Sequence, residues 1–162
     1  MIAKTIYLMR HGLATHSTIG YGDQIVTAQI LPEAIPVINK TAAFLKDKPT
    51  NANISSEFLR CRQTAEIVTN ITNKQFTFDK RLNEFYDESF LQLKNRLQDF
   101  LKDLEKKNYA NVLLCTHGAV IAGIKHLLLK KSLEEENLLD FALPGVLTII
   151  QNGSIQEIDF SI

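Results

Sequence analysis

Several familiar marks are missing from this chain, and each absence removes a class of protein. Only two of its 162 residues are cysteine, Cys61 and Cys115. Two are too few for a disulfide scaffold, and in a reducing compartment such thiols stay free. Apolar runs such as "VLL" and "HLLL" fall far short of the roughly 20 residues a helix needs to cross a bilayer. The opening stretch, "MIAKTIYLMRHG", has no long apolar region and no small-residue cleavage site, so a cytoplasmic protein is the expectation. An excess of charge of one sign is missing too. Eighteen Lys and Arg balance eighteen Asp and Glu, for a formal net charge of zero. Nothing global attracts a nucleic acid or an anionic membrane, so any anion site has to be built locally. There is no G-x-x-x-x-G-K-[ST] word and hence no P-loop. Carboxylates and histidines show no zinc or calcium spacing. Neither cysteine has an arginine six residues on, which disfavours a cysteine-type phosphatase.

What is present is an ordinary globular composition, 45% hydrophobic and 22% charged. The length fits one domain over 1–162 with a real core. Periodicity types the segments. Thr5–Met9 reads as a buried strand. Pro32–Leu45 has apolar residues at 34, 35, 38, 42 and 45, a helical stripe, with Pro32 suited to the first helical position and Pro36 less comfortable. "NANIS" (51–55) is a short strand. Ser56 can cap a helix over Glu57–Thr69 that sets Phe58, Cys61, Ala65 and Val68 on one face. Phe76–Phe78 is a further short strand. Ser89–Lys106 is the clearest helix, with Phe or Leu at 90, 93, 97, 100, 101 and 104. "NVLLCT" is a strand, followed by a helix over about Gly118–Lys130. "EEENLLDF" is a short helical turn. "GVLTIIQNGSIQEIDFS" is a hairpin around Asn152-Gly153. Alternating strands and helices predict a three-layer α/β/α sandwich around a mostly parallel sheet. In such sheets, ligands bind beyond the carboxyl ends of the parallel strands.

The strand ends are where the unusual residues fall. The first strand ends in Arg10, His11 and Gly12. The second ends in Ser55 and Ser56, with Arg60 just beyond in the next helix. The "NVLLCT" strand ends in Thr116, His117 and Gly118. A loop before the long helix, "RLNEFYDES", carries Glu84, Asp87 and Glu88. Guanidinium forks match phosphate bidentately. Two of them with a helix N-terminus can hold a phosphoryl dianion without a metal. Neutral imidazole is a good nucleophile toward phosphorus, and nearby arginines favour that neutral form. A carboxylic acid can protonate the leaving oxygen.

Four words in order, "LMRHG", "SSEFLRCRQTAEIV", "RLNEF" and "CTHGAVIAGI", resemble the histidine phosphatase superfamily and its phosphoglycerate mutase-like fold. The resemblance spans most of the chain and takes in "QILPEAIPVINKTAAFL" and "ESFLQLKNRLQDFL" as the family's helices. It implies that His11 is the nucleophile that becomes phosphohistidine, that Arg10 and Arg60 clamp the phosphate, and that His117 is the second pocket histidine. Glu84 resembles the proton donor, with Asp87 and Glu88 as alternatives. Gly12 and Gly118 are expected to let the backbone approach the phosphate. No metal or organic cofactor is implied. The expected activity is that of a phosphomonoesterase acting on a phosphorylated small molecule or a phosphoprotein. A phospho-ligand-binding module without turnover and a phosphotransferase or mutase are the alternatives.

The sequence also departs from that family. Leu13 and Ala14 stand where Glu-Thr is frequent, and Ser17 stands where an Asn is, still able to bond a phosphoryl oxygen. His16 takes an aromatic position, and Ala34 replaces a turn glycine. Glu84 and Glu88 lie almost together where many members carry a covering insertion, so an open site is expected. The chain is close in size to the short bacterial phosphohistidine phosphatases, which tend to lack a donor at the Glu84 position. Hydrolysis is therefore favoured over mutase chemistry. Cys61 and Cys115 read as small buried hydrophobes, Arg62 as a solvent-facing helix charge, and His126 as a helix-surface residue.

Overall fold

Strand β1 (Thr5–Arg10) is apolar from Ile6 to Met9 because both of its faces are covered. Ile6 and Leu8 pack into one cluster and Tyr7 and Met9 into another on the opposite side. The computed structural model describes residues 5–16 and 20–162. The further strands are β2 (Ala52–Ser55), β3 (Thr77–Phe78), β4 (Asn111–Thr116), β5 (Val146–Gln151) and β6 (Ser154–Asp159). They form a six-stranded sheet in the order β3-β2-β4-β1-β5-β6. β3, β2, β4 and β1 run parallel, while β5 is antiparallel to β1 and β6 antiparallel to β5.

Helices cover both faces. α1 (Ala34–Leu45) and α2 (Leu59–Thr72) lie on the side of Tyr7, Met9 and Leu113. α3 (Phe90–Lys107) and α4 (Gly118–Leu129) lie on the side of Ile6, Leu8 and Leu114. The three-layer, mostly parallel arrangement expected from the sequence is present. The long helix starts where Ser89 accepts from the Gln92 amide and Gln92 returns the bond to the Ser89 amide. It buries Leu93, Leu97, Phe100, Leu101 and Leu104. Each such side chain contributes about 1.5–3 kcal/mol of transfer free energy. Asn152 (φ 52°) and Gly153 (φ 78°) both take positive φ, as the tight turn between β5 and β6 requires.

Three local expectations are corrected. Pro32 is not the first helical residue; it lies in the turn before α1, where its carbonyl accepts from the Ile35 amide. Pro36 is the third residue of α1, inside the first turn, where an amide proton has no helical acceptor anyway. Ser56 does not cap α2. That helix begins two residues later than the Ser56 cap predicts, after an extended Phe58 (ψ 145°) with no side-chain cap. The Ser56 hydroxyl accepts from the Phe58 amide at 3.2 Å and is otherwise engaged in the site. Arg60 consequently sits in the first turn of α2. The "EEENLLDF" turn is a 3-10 helix over Glu135–Leu139.

Among the described residues, no helix is long and apolar enough to cross a membrane.

Candidate active site

The parallel strands β1, β2 and β4 end at the same edge, and the backbone holds those ends together. The His11 amide donates to the Thr116 carbonyl at 3.1 Å, and the Ser56 amide to the Cys115 carbonyl at 2.9 Å. Arg10, His11, Arg60 and His117 therefore converge, although His11 and Arg60 are 49 positions apart in the chain and His117 lies farther still. The two imidazoles lie with centroids 5.2 Å apart. His11, Arg60 and His117 are fully buried.

Neighbouring groups select the tautomer of His11. Its Nδ1 faces the Gly12 carbonyl at 2.7 Å, which only accepts, so Nδ1 carries the proton. Its Nε2 receives the Arg60 Nε–H at 3.2 Å, so Nε2 holds a lone pair. Burial, then the positive charge of Arg60, lowers the imidazole pKa to about 3. His11 is thus neutral at physiological pH, with the lone pair on Nε2. Thr64, one helical turn beyond Arg60, accepts from the Gly12 amide at 3.0 Å and donates to the Arg60 carbonyl at 2.8 Å. It pins the loop after β1 to α2.

His117 is set by a second chain of bonds. The Asn83 carboxamide oxygen accepts from the Glu57 amide at 2.9 Å and from the Ser56 hydroxyl at 3.0 Å. With its proton given to Asn83, the Ser56 oxygen accepts from His117 Nε2 at 2.8 Å. Nδ1 of His117 then carries the lone pair of the neutral ring. It lies 3.9 Å from Glu84 Oε2 and makes no hydrogen bond. Burial first, then the charges around it, holds His117 well below the usual histidine range. The edge of His117 also meets the Phe58 ring at 5.3 Å.

The arginines are anchored at one end and open at the other. Arg10 Nη1 donates to the Ala142 carbonyl at 2.8 Å, and its guanidinium lies 5.6 Å from the Phe141 ring centre. Arg60 Nη1 donates to the Ile25 carbonyl, and its guanidinium stacks 4.0 Å from the Tyr21 ring centre. Among the described residues, three buried side-chain polar atoms have no hydrogen-bond partner: Arg10 Nε, Arg60 Nη2 and His117 Nδ1. Buried polar atoms are seldom left unpaired. All three here belong to the same cluster, and two are cationic donors. The arrangement is suited to an anion with several acceptor oxygens.

Glu84 stands at the mouth of this cluster, 17% exposed. Its Oε1 accepts from the Phe85 amide at 2.9 Å. Burial pushes its carboxyl above the ordinary value, against the opposing pull of that bond and of Arg60 and Arg10. The other two acids differ. Glu88 is tied to Arg96 at 2.7 Å, and Asp87 is exposed on the loop at φ 52°. Gly12 and Gly118 have packing reasons to lack a side chain. A Cβ at 12 would lie 2.7 Å from Ile38 Cδ1, and one at 118 would lie 3.2 Å from Phe141 Cβ and 3.4 Å from the Arg10 guanidinium. Ser17 lies outside the described residues. Arg62 is turned outward over the Phe78 ring at 4.1 Å, and His126 pairs with Asp140 at 3.0 Å. Cys61 and Cys115 are free and buried, with the Cys61 sulfur 3.5 Å from His117 Nε2. No group of three or more metal-binding side chains is assembled among the described residues.

A family model for the histidine phosphatase superfamily (branch 1) matches residues 6–87 and 86–160. The chain belongs to that superfamily. Solved structures share its phosphoglycerate mutase-like fold. The α-ribazole phosphatase of Shigella flexneri is 18% identical with a TM-score of 0.79, over 96% of this chain and 95% of that one. A mycobacterial glucosyl-3-phosphoglycerate phosphatase, in complex with VO3, is 17% identical with a TM-score of 0.76, over 96% and 97%. The phosphoglycerate mutase of Bacillus anthracis is 15% identical with a TM-score of 0.69, over 97% and 93%. At these identities the superfamily likeness to solved structures is one of fold. No curated protein matches the chain in sequence.

The sequence did not disclose what holds these residues in place. Thr64 was findable, four residues after Arg60 and so on the same helical face. The Ala142 and Ile25 carbonyls were not, because a backbone acceptor leaves no mark in the side-chain pattern.

Proposed function

We propose that this protein is a phosphomonoesterase that works through a phosphohistidine on His11 and needs no metal. The observation that carries the reading is the pair of unpaired buried guanidinium donors on Arg10 and Arg60, set beside a neutral His11. Arg10 and Arg60 supply the positive charge that the three equatorial oxygens require. His11 Nε2 attacks phosphorus, an N–P bond forms, and the ester P–O bond breaks. Glu84, whose hold on its proton is strengthened by burial and further by the bound dianion, gives that proton to the departing oxygen. In the second half, the Glu84 carboxylate takes a proton from water, whose oxygen attacks phosphorus. Inorganic phosphate leaves and neutral His11 is restored. Glu84 is the proposed donor over Asp87 and Glu88, because Glu88 is held by Arg96 and Asp87 faces solvent. The test is hydrolysis of an aryl phosphate in EDTA. His11→Ala is expected to lower kcat/KM by about 10⁴-fold or more; activity that survives the substitution excludes the mechanism.

One observation favours a second reading, a phospho-ligand-binding module without turnover. Arg60 Nε already occupies the lone pair of His11 that has to attack. Rapid quenching with a ³²P-labelled aryl phosphate separates the two. Acid-labile label on His11 supports the enzyme; tight phosphate binding with no label supports the module.

A further inference from the structure

We infer that the site selects a phosphomonoester whose departing group is apolar and neutral or cationic, and that it rejects one bearing a second anion. The inference rests on the phosphatase reading and names the substrate class of that same site. The departing oxygen has to face Glu84, so the organic group occupies the space that Glu84 opens onto. That space is a cavity of about 410 Å³ bounded by Arg10, Glu84, Glu135, Leu138, Leu139 and Phe141. Leu139 is 78% exposed and Phe141 44% exposed, so apolar surface is reachable there. Among the described residues Arg10 is its only basic lining residue, and the phosphoryl group uses it. A second carboxylate or phosphate would meet Glu135 and shed water against leucine, with no cation to compensate.

Neighbouring space repeats the pattern. A cavity of about 460 Å³ beyond Arg10 and Phe141 is walled by Leu13, Val37, Ile38 and Leu143. Its charged lining residues are Arg10 again and Glu33. On the far side of Glu84 a cavity of about 340 Å³ does carry Lys80, Arg81 and Arg96. Arg81 is committed to Asp79, Asp99 and Asp103, and Arg96 to Glu88. Lys80 is the cation there without such an ion pair among the described residues, and it is exposed. The same charge pattern speaks against a mutase that moves a phosphoryl group along an acidic metabolite.

The experiment compares three aryl phosphates that differ at the para position: methyl, aminomethyl and carboxymethyl. Wild type is expected to hydrolyse the first two about five- to tenfold better than the third in kcat/KM. Glu135→Lys is expected to shift the aminomethyl-to-carboxymethyl ratio about tenfold toward the acid. Lys80→Ala is expected to leave the ratio unchanged. The inference is overturned if wild type favours the carboxymethyl ester, if Glu135→Lys does not move the ratio, or if Lys80→Ala removes carboxymethyl turnover selectively. Should none of the three esters show His11-dependent hydrolysis, it is the phosphatase reading that fails. Dissociation constants of the same esters then read the charge preference, and tightest binding of the carboxymethyl ester overturns it.

Discussion

At the scale of single residues, the site is a set of groups whose protonation follows from what surrounds them. Burial acts in opposite directions on the two kinds of group: it lowers His11 and raises Glu84, because in each case it penalises the charged form. The result is a neutral base beside a carboxyl that holds its proton more tightly than usual, the bias that in-line displacement on an ester needs. The pH dependence follows with a definite sign. On the proposed mechanism protonated His11 cannot attack, so the acid limb of kcat/KM is expected near its pKa of about 3. Ionised Glu84 is inactive in the first half-reaction, so activity falls as pH rises through a carboxyl pKa above the ordinary range. Glu84→Gln is expected to remove that alkaline limb. It should slow alkyl esters by about 10²-fold or more and affect p-nitrophenyl phosphate far less, since nitrophenolate departs without a proton. A pH–rate profile of both substrates with both proteins checks it. Equal losses on the two esters would assign Glu84 another role. Ser56 is a positioning residue by the same geometry, since its hydroxyl connects His117 to Asn83. Ser56→Ala leaves a buried imidazole nitrogen short of its acceptor, at a cost of about 1–3 kcal/mol.

At the scale of elements, what the sequence revealed and what it concealed divide along a physical line. β1, α3, β4 and the β5–β6 hairpin were legible because both faces of a buried strand, one stripe of a long helix and an Asn-Gly turn are written in side-chain polarity. The convergence of Arg10, His11, Arg60 and His117 was legible because parallel strands present their carboxyl ends at one edge. The start of α2 was misplaced because Ser56 has the chemistry of a cap but spends its hydroxyl on His117, a partner 61 residues away. Gly12 was read as a residue that lets the backbone approach the phosphate; the structure adds a packing reason for it, on α1. A methyl group there would meet Ile38 Cδ1 at 2.7 Å and Ala34 Cβ at 3.0 Å. Gly12→Ala is therefore expected to destabilise the fold by about 1–3 kcal/mol and to shift the loop that aims His11. Pairing it with Ile38→Ala should restore part of both stability and activity, read by denaturant midpoint and by kcat. A double variant no better than the single would place the strain elsewhere.

At the scale of the whole molecule, the site makes the fold sensitive to acid. His11 and His117 are held neutral in the folded chain, His11 down to about 3 and His117 well below its ordinary value, whereas in the unfolded chain each protonates near 6.5. Below that point the unfolded state binds protons that the folded state refuses. Stability therefore falls as pH drops from about 6.5 toward 3, by about 1.4 kcal/mol per pH unit for each such proton. The carboxyls modify this only at the lower end. Glu84, raised by burial, acts with the opposite sign above the ordinary carboxyl value, since its folded form keeps a proton that the unfolded chain releases. Asp79, Asp103 and Asp140 are all lowered and lose their contribution only below the ordinary aspartate value near 3.8. Between pH 6.5 and 5 the two site histidines dominate. Urea unfolding across that window is expected to show a single transition whose free energy drops with a slope approaching two protons. His11→Gln should flatten the slope by about one proton, even though the substitution itself lowers stability at neutral pH. On the proposed reading phosphate binds the folded state, so saturating phosphate is expected to raise stability across the same window, and by less in Arg60→Gln. A slope that His11→Gln leaves unchanged would mean that this imidazole is not held neutral, and the nucleophile would then lack the protonation state on which the catalytic reading depends.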